Sequence, residues 1–140
     1  RRHSFPTRRS SDLMRDAASR LLGEHDFSSF RAAQCQALSP VKQMHRIAIA
    51  RHGDYWRFEF QANAFLHHMI RNIMGCLIQV GQGLRPAQWM DDVLAAKSRD
   101  AAAPTFAADG LYFAGPVYAP NWGLPDRTAA FDFLPGSQSM

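Results

Sequence analysis

The residues of this chain that could do chemistry gather in one run, His67-His68-Met69-Ile70-Arg71, with Gly75 and Cys76 behind it. Helical residues advance by about 100° each, so His67, Arg71 and Gly75 share one side. Leu66, Met69, Ile70, Ile73, Leu77 and Val80 form a wide apolar stripe on the other. An arginine in that place is either part of a solvated polar face or a fork of donors for a carboxylate or phosphate. Gly75 adds a constraint. A glycine inside a helix costs about 1 kcal/mol against alanine, so another backbone or a ligand is expected to come close on this side.

Other constellations are weaker. His67, His68 and Cys76 are metal-ligand types, but neighbouring histidines diverge by about 100° and do not close on one ion, so no metal is expected. Cys35 and Cys76 are the only cysteines. They are too few for a disulfide framework and, without a positioned base, read as free thiols rather than nucleophiles. Gly81-Gln82-Gly83 lacks the preceding strand and third glycine of a phosphate loop and reads as a helix stop. Phe30 and Arg31, in a polar loop, are either a stacking and clamping pair for nucleic acid or an anchoring aromatic beside a hydrated arginine.

Elements can be assigned around these residues. Ala17, Ala18, Leu21 and Leu22 recur at helical steps, which predicts a helix over 14–23. DFSSFRAAQCQALSP reads as loop and short turns. Ile47 and Ile49, then Trp56, Phe58, Phe60 and Ala62, alternate on either side of Gly53-Asp54, which predicts an antiparallel hairpin whose aromatic face covers the apolar stripe. That stripe predicts a helix over 65–80. Pro86 opens another, with Trp89, Val93 and Leu94 facing the core up to Lys97. Leu111, Tyr112, Phe113, Val117 and Tyr118 read as a last strand. The order is that of a ferredoxin-like split β-α-β-β-α-β plan with an added helix and without its first strand, an α+β fold with helices on one face of an antiparallel sheet.

With 140 residues, 46% hydrophobic and 20% charged, the chain can bury one ordinary core and falls outside the disordered class. No run of about 18 apolar residues predicts a membrane span, so a soluble, cytoplasmic protein is expected. Of the net charge of +4, Arg1, Arg2, Arg8 and Arg9 against Asp12 place three units within residues 1–13. Basicity of the remainder argues little for a polyanion partner. The opening RRHSFPTRRSSDL has no period and resembles translated adapter sequence. Residues 1–13 are therefore expected to be a foreign or disordered arm, 14–120 the folded body and 121–140 a loose tail rich in Pro, Gly and Ser.

The motifs carry a resemblance. DFSSFRAAQCQ, FQANAFLHHMIRNIMGCLIQVGQG, LAAKSRDAAAPTFAADGLYF and the Val117-Tyr118-x-Pro120 close, in this order and spacing, resemble the C-terminal half of the tRNA pseudouridine synthase A (TruA) family. The resemblance covers Met14 to about Pro120. It implies an enzyme that isomerises uridine to pseudouridine in the tRNA anticodon stem-loop, as a homodimer and without cofactor or metal. In such enzymes an aspartate attacks the nucleoside, the glycosidic bond breaks, and the uracil turns and rejoins through C5, the base having left its stack. Arg71 then corresponds to the arginine that pairs with the aspartate, and Leu111 to a leucine lining the uracil pocket. Gln34, Cys35, Gln36, Ala37 and Leu38 match a stretch that touches tRNA, which adds Phe30 and Arg31 beside it. Asn63, His68, Gly75 and Tyr112 fall within the matched runs as secondary site residues.

The family's Gly-Arg-Thr-Asp-Ala-Gly motif is not in this sequence, and none of its ten aspartates has that context. No nucleophile is assigned, and the chain is expected to be inactive by itself as half of a cleft. The residues alone also fit a non-catalytic RNA-binding module, whose affinity would fall steeply with salt, or a dimerisation domain with no RNA affinity.

Overall fold

In the computed structural model, which describes residues 8–32, 39–109 and 115, the chain enters helix α1 at Arg8 and leaves it at Ser19. Met14, Ala17 and Ala18, with Leu21 just beyond, are its buried face. That is the spacing read from the sequence, although Leu22 is exposed. The helix starts ahead of the expected Met14, since no Gly or Pro interrupts 8–13 and Asp12 pairs with Arg15 at 3.4 Å within the first turns. Arg15 also donates to the Ile49 carbonyl through Nε at 3.3 Å and Nη2 at 2.8 Å, fastening α1 to the sheet.

The sheet has the order β1-β2-β3, with β1 Gly23–Asp26, β2 Val41–His52 and β3 Tyr55–Ala62. Strands β2 and β3 are the expected hairpin about Gly53-Asp54. Strand β1 is a correction to the reading of that stretch. It runs antiparallel to β2, with Gly23 opposite Met44 and Asp26 opposite Val41. Its sequence, GEHD, has no apolar alternation, and its pairing is a matter of backbone ladder bonds at a sheet edge. Past the end of β3, Asn63 keeps the ladder going: its N–H donates to Gln43 O at 3.0 Å and its Oδ1 accepts from Gln43 N at 2.9 Å.

Residues through Ile49 and Phe58–Ala107 form one compact unit. The hairpin tip, Ala50–Arg57, belongs to a second unit. Within the tip, Arg51 Nε donates to Gly53 O at 2.8 Å.

Helices α2, Met69–Gly81, and α3, Trp89–Ala96, complete the first unit. Leu66, Met69, Ile73, Cys76, Leu77 and Val80 are all buried, and α1 packs along α2. The aromatic face of β3 was expected over this stripe, but Phe58 and Phe60 are only half-buried. Helix α3 buries Met90 and Val93, while Trp89 and Leu94 are half-buried and Arg85 lies 5.0 Å over the Trp89 ring. Arg20, past the end of α1, pairs with Asp91 in the first turn of α3, a placement the dipoles of both helices favour. The architecture is α+β, with three strands and three helices among the described residues. The expected last strand, Leu111 to Tyr118, lies outside them except for Gly115. No helix among them is long and apolar enough to cross a membrane.

Helix α2 ends as its glycines predict. Gly83, at φ 79°, donates to Val80 O at 3.0 Å, and Leu84 N reaches Gln79 O at 3.0 Å, the paired bonds of a Schellman cap. Open space surrounds Gly83, so only its backbone resists a side chain. Gly83→Ala is expected to cost about 1 kcal/mol, read as a lower urea midpoint at unchanged slope.

Candidate functional site

Helix α2 carries the site, and its start is unusual. His68, the residue before Met69, sits in the left-handed region at φ 61° and ψ 10°, a conformation that strains a side chain by about 1 to 2 kcal/mol. It turns the chain into the helix: Ala32 N donates to His67 O at 3.2 Å and Asn72 N to His68 O at 2.9 Å. The His67 and His68 rings stack with centroids 3.9 Å apart. Partial burial lowers the His68 pKa, and the neighbouring charges of His67 and Arg71 lower it further.

Arg71 follows one turn on. Its Nε donates to Phe106 O at 2.8 Å, while its own carbonyl accepts from Phe106 N at 3.2 Å. The two residues are thus joined through both backbone groups of Phe106. Among the described residues no acceptor meets the two Nη groups, which leaves that edge of the guanidinium for an anion.

The reciprocal bond is possible because residues 98–107 form a strap over the polar side of α2. This side was open to two readings, and the structure makes part of it interior. Asn72 is 1% exposed. Its Nδ2 donates to Phe30 O at 2.8 Å, and its Oδ1 accepts from Thr105 Oγ1 at 2.7 Å and Arg99 Nη2 at 3.1 Å. Arg99 Nη2 also reaches Thr105 Oγ1 at 3.0 Å. One turn along, a Cβ on Gly75 would overlap the Pro104 carbonyl and lie 3.6 Å from the Ala103 Cβ, so the close backbone approach expected from this glycine is the strap. Ala103 N points at Cys76 Sγ at 3.4 Å, and burial pushes the Cys76 thiol pKa up, away from nucleophilic use. Among the described residues no group of three or more His, Cys, Asp or Glu side chains converges.

The DFSSF segment anchors the other end of the Asn72 network. Phe30 is fully buried, its ring tilted against Phe27 at 6.2 Å, so its side chain is a core anchor and offers no face for stacking. Here the structure departs from the expectation of an RNA contact. Ser29 Oγ donates to Val93 O at 2.5 Å and accepts from Ser98 N at 3.0 Å, setting the start of the strap. Arg31 is half-buried at the segment's edge. Gln34, Cys35, Gln36, Ala37 and Leu38, and likewise Leu111 and Tyr112, lie outside the described residues. Asn63 closes the hairpin ladder, some way along the chain from Arg71. The structure therefore brings together Arg71, His68, Gly75 and the strap. Sequence reasoning missed Asn72, Arg99 and Thr105. Their signal was a polar residue at 72 flanked at helical steps by Met69 and Cys76, and one arginine and one threonine in an otherwise small-residue linker.

Two outcomes follow. Gly75→Ala must push the Pro104 backbone away and is expected to cost about 1 to 3 kcal/mol in urea unfolding, more than Gly83→Ala, because it adds overlap to a packed contact. The unfolded chain takes up the His68 proton at higher pH than the folded one, so this residue makes stability fall as pH drops through the ordinary histidine range. An NMR titration of His68 is expected to show a midpoint below the ordinary histidine value, and His67→Ala should move it part of the way back.

The family model for tRNA pseudouridine synthase matches residues 17–119. A tRNA pseudouridine synthase A of Albidiferax ferrireducens is 72% identical over 122 residues, covering 87% of this chain and 47% of the relative. That of Paracidovorax citrulli is 62% identical over 142 aligned residues, covering 89% and 51%, and that of Polaromonas naphthalenivorans 67% over 128, covering 89% and 48%. The chain spans about half the length of the curated relatives it matches. With a match across most of its length, including the whole of α2 and the strap, this chain belongs to the tRNA pseudouridine synthase family.

Proposed function

We propose that the chain supplies the arginine-bearing half of a cleft in which uridine of the tRNA anticodon stem-loop is isomerised to pseudouridine. The observation that carries this reading is the mounting of Arg71: Nε is tied to the Phe106 carbonyl at 2.8 Å and the Nη edge has no acceptor among the described residues. A guanidinium so held presents two donors to a carboxylate. An arginine within a few ångströms lowers an aspartate pKa by about 1 to 3 units, which would keep the nucleophile ionised and aimed. None of the chain's own aspartates has the family's motif, so the nucleophile is proposed to come from outside these 140 residues.

The reaction replaces the N1–C1′ bond of uridine by a C5–C1′ bond and moves the C5 proton to N1. It is redox neutral and requires neither cofactor nor metal. Leu111, a few residues beyond Phe106 along the chain, is proposed to line the uracil pocket with Tyr112 beside it, and the Gln34–Leu38 stretch with Arg31 to contact the tRNA. The whole enzyme is proposed to act in the cytoplasm as a homodimer.

Two assays test this. The chain alone, incubated with unmodified tRNA, is expected to form no pseudouridine above background. Combined with the N-terminal half of the A. ferrireducens relative it is expected to do so. In that complex Arg71→Ala should lower kcat/KM by at least about 30-fold, the cost of leaving a buried charge unpaired, and Arg71→Lys should recover only part of it because lysine has no Nε tether. Turnover by the chain alone, or an Arg71→Ala complex as fast as wild type, would contradict the reading.

A further inference from the structure

We infer that the Phe106 ring is a stacking platform for an unstacked nucleobase of the RNA substrate, set beside the Arg71 guanidinium. This rests on the synthase reading and adds to it a binding residue whose side chain has no part in the arginine pair. Phe106 is 40% exposed, and among the described residues no aromatic or cationic side chain stacks on its ring. Other large apolar side chains are exposed too, Leu84 and Tyr55 among them, but Phe106 alone is hydrogen-bonded to the arginine of the candidate site, through its N–H at 3.2 Å and its C=O at 2.8 Å. Both bonds use backbone, so the ring itself does nothing for the tether.

The ring is also preorganised. One residue before it, Thr105 is locked to Asn72 and Arg99, and two residues before it Pro104 presses on Gly75. Little conformational freedom remains to be lost when a ligand binds. An enzyme that works on a base within a structured loop takes the base out of its stack, and the displaced base or its neighbour then needs an apolar face in place of the one it lost. An exposed aromatic ring on a residue whose backbone carbonyl holds a cation meets that need, since bases stack on aromatics whatever their sequence and the cation offsets phosphate or carbonyl charge nearby. The ligand class is therefore a single-stranded RNA loop, read at this point by the π-face of a base.

The test is equilibrium binding of the 140-residue chain to a fluorescently labelled, unmodified anticodon stem-loop RNA over a range of salt. Phe106→Ala and Phe106→Leu are expected to weaken binding by about 5- to 150-fold, with Phe106→Trp near wild type. The dependence of log Kd on log salt should keep its slope in all of them, because no phosphate contact is removed. Urea midpoints within error of wild type would show that the backbone tether survives. Wild-type affinity in Phe106→Ala, or full affinity in Phe106→Leu, would overturn the platform and leave the synthase reading standing. A wild-type chain with no RNA affinity would overturn the platform as well, and the reconstituted activity of the two halves would then decide the synthase reading separately.

Discussion

The buried carboxamide of Asn72 is the point on which this structure turns. It lies on α2 and is 1% exposed, so its polar atoms have almost no access to water. Each must find a partner inside, because an orphaned buried donor or acceptor costs about 1 to 3 kcal/mol. Its donor end takes the Phe30 carbonyl, and its acceptor end takes Thr105 and Arg99. Two segments distant in sequence are thereby held to one helix turn: the short 3-10 turn after β1, through Phe30, and the strap, through Arg99 and Thr105. Only with the strap in that place can Phe106 meet Arg71 and the Pro104 carbonyl press on Gly75.

The consequence for function is division of labour along one helix. Leu77, Ile73 and Val80 secure α2 in the core. Asn72 and Gly75 receive the strap, and Arg71, the residue before Asn72, is fixed in direction by it. A long, flexible side chain such as arginine loses about 2 kcal/mol of rotamer freedom when ordered. Here part of that is already lost before substrate arrives, which suits a residue whose proposed work is to aim a carboxylate. The strained His68 at the head of the same helix is consistent with strain gathering where chemistry is done.

What could be read from the sequence followed the strength of its patterns. The apolar stripe of α2, the hairpin about Gly53-Asp54 and the glycine stop at 81–83 all have a period or a turn type, and all are present. Strand β1 was not legible because GEHD pairs through its backbone and carries no side-chain pattern. The start of α1 was misjudged because Arg8–Leu13 has no apolar period, yet nothing in it opposes helix and the following turns propagate it backward. At the site, Arg71 and Gly75 stood out by residue type. Asn72 did not: an asparagine beside an arginine reads as surface until the strap that covers it is known, and that covering is a long-range fact. Phe30 was misplaced for the same reason, since a loop aromatic becomes core only when the elements around it close.

The central claim, that Asn72 fixes the strap and through it Arg71, is tested most directly by amide hydrogen exchange in Asn72→Ala. The Phe106 amide, which donates to the Arg71 carbonyl, is expected to lose about 10- to 100-fold of its protection, while the Leu84 amide in the cap at the far end of α2 keeps its own. Unchanged protection at Phe106, or a loss at Leu84 equal to that at Phe106, would contradict the account.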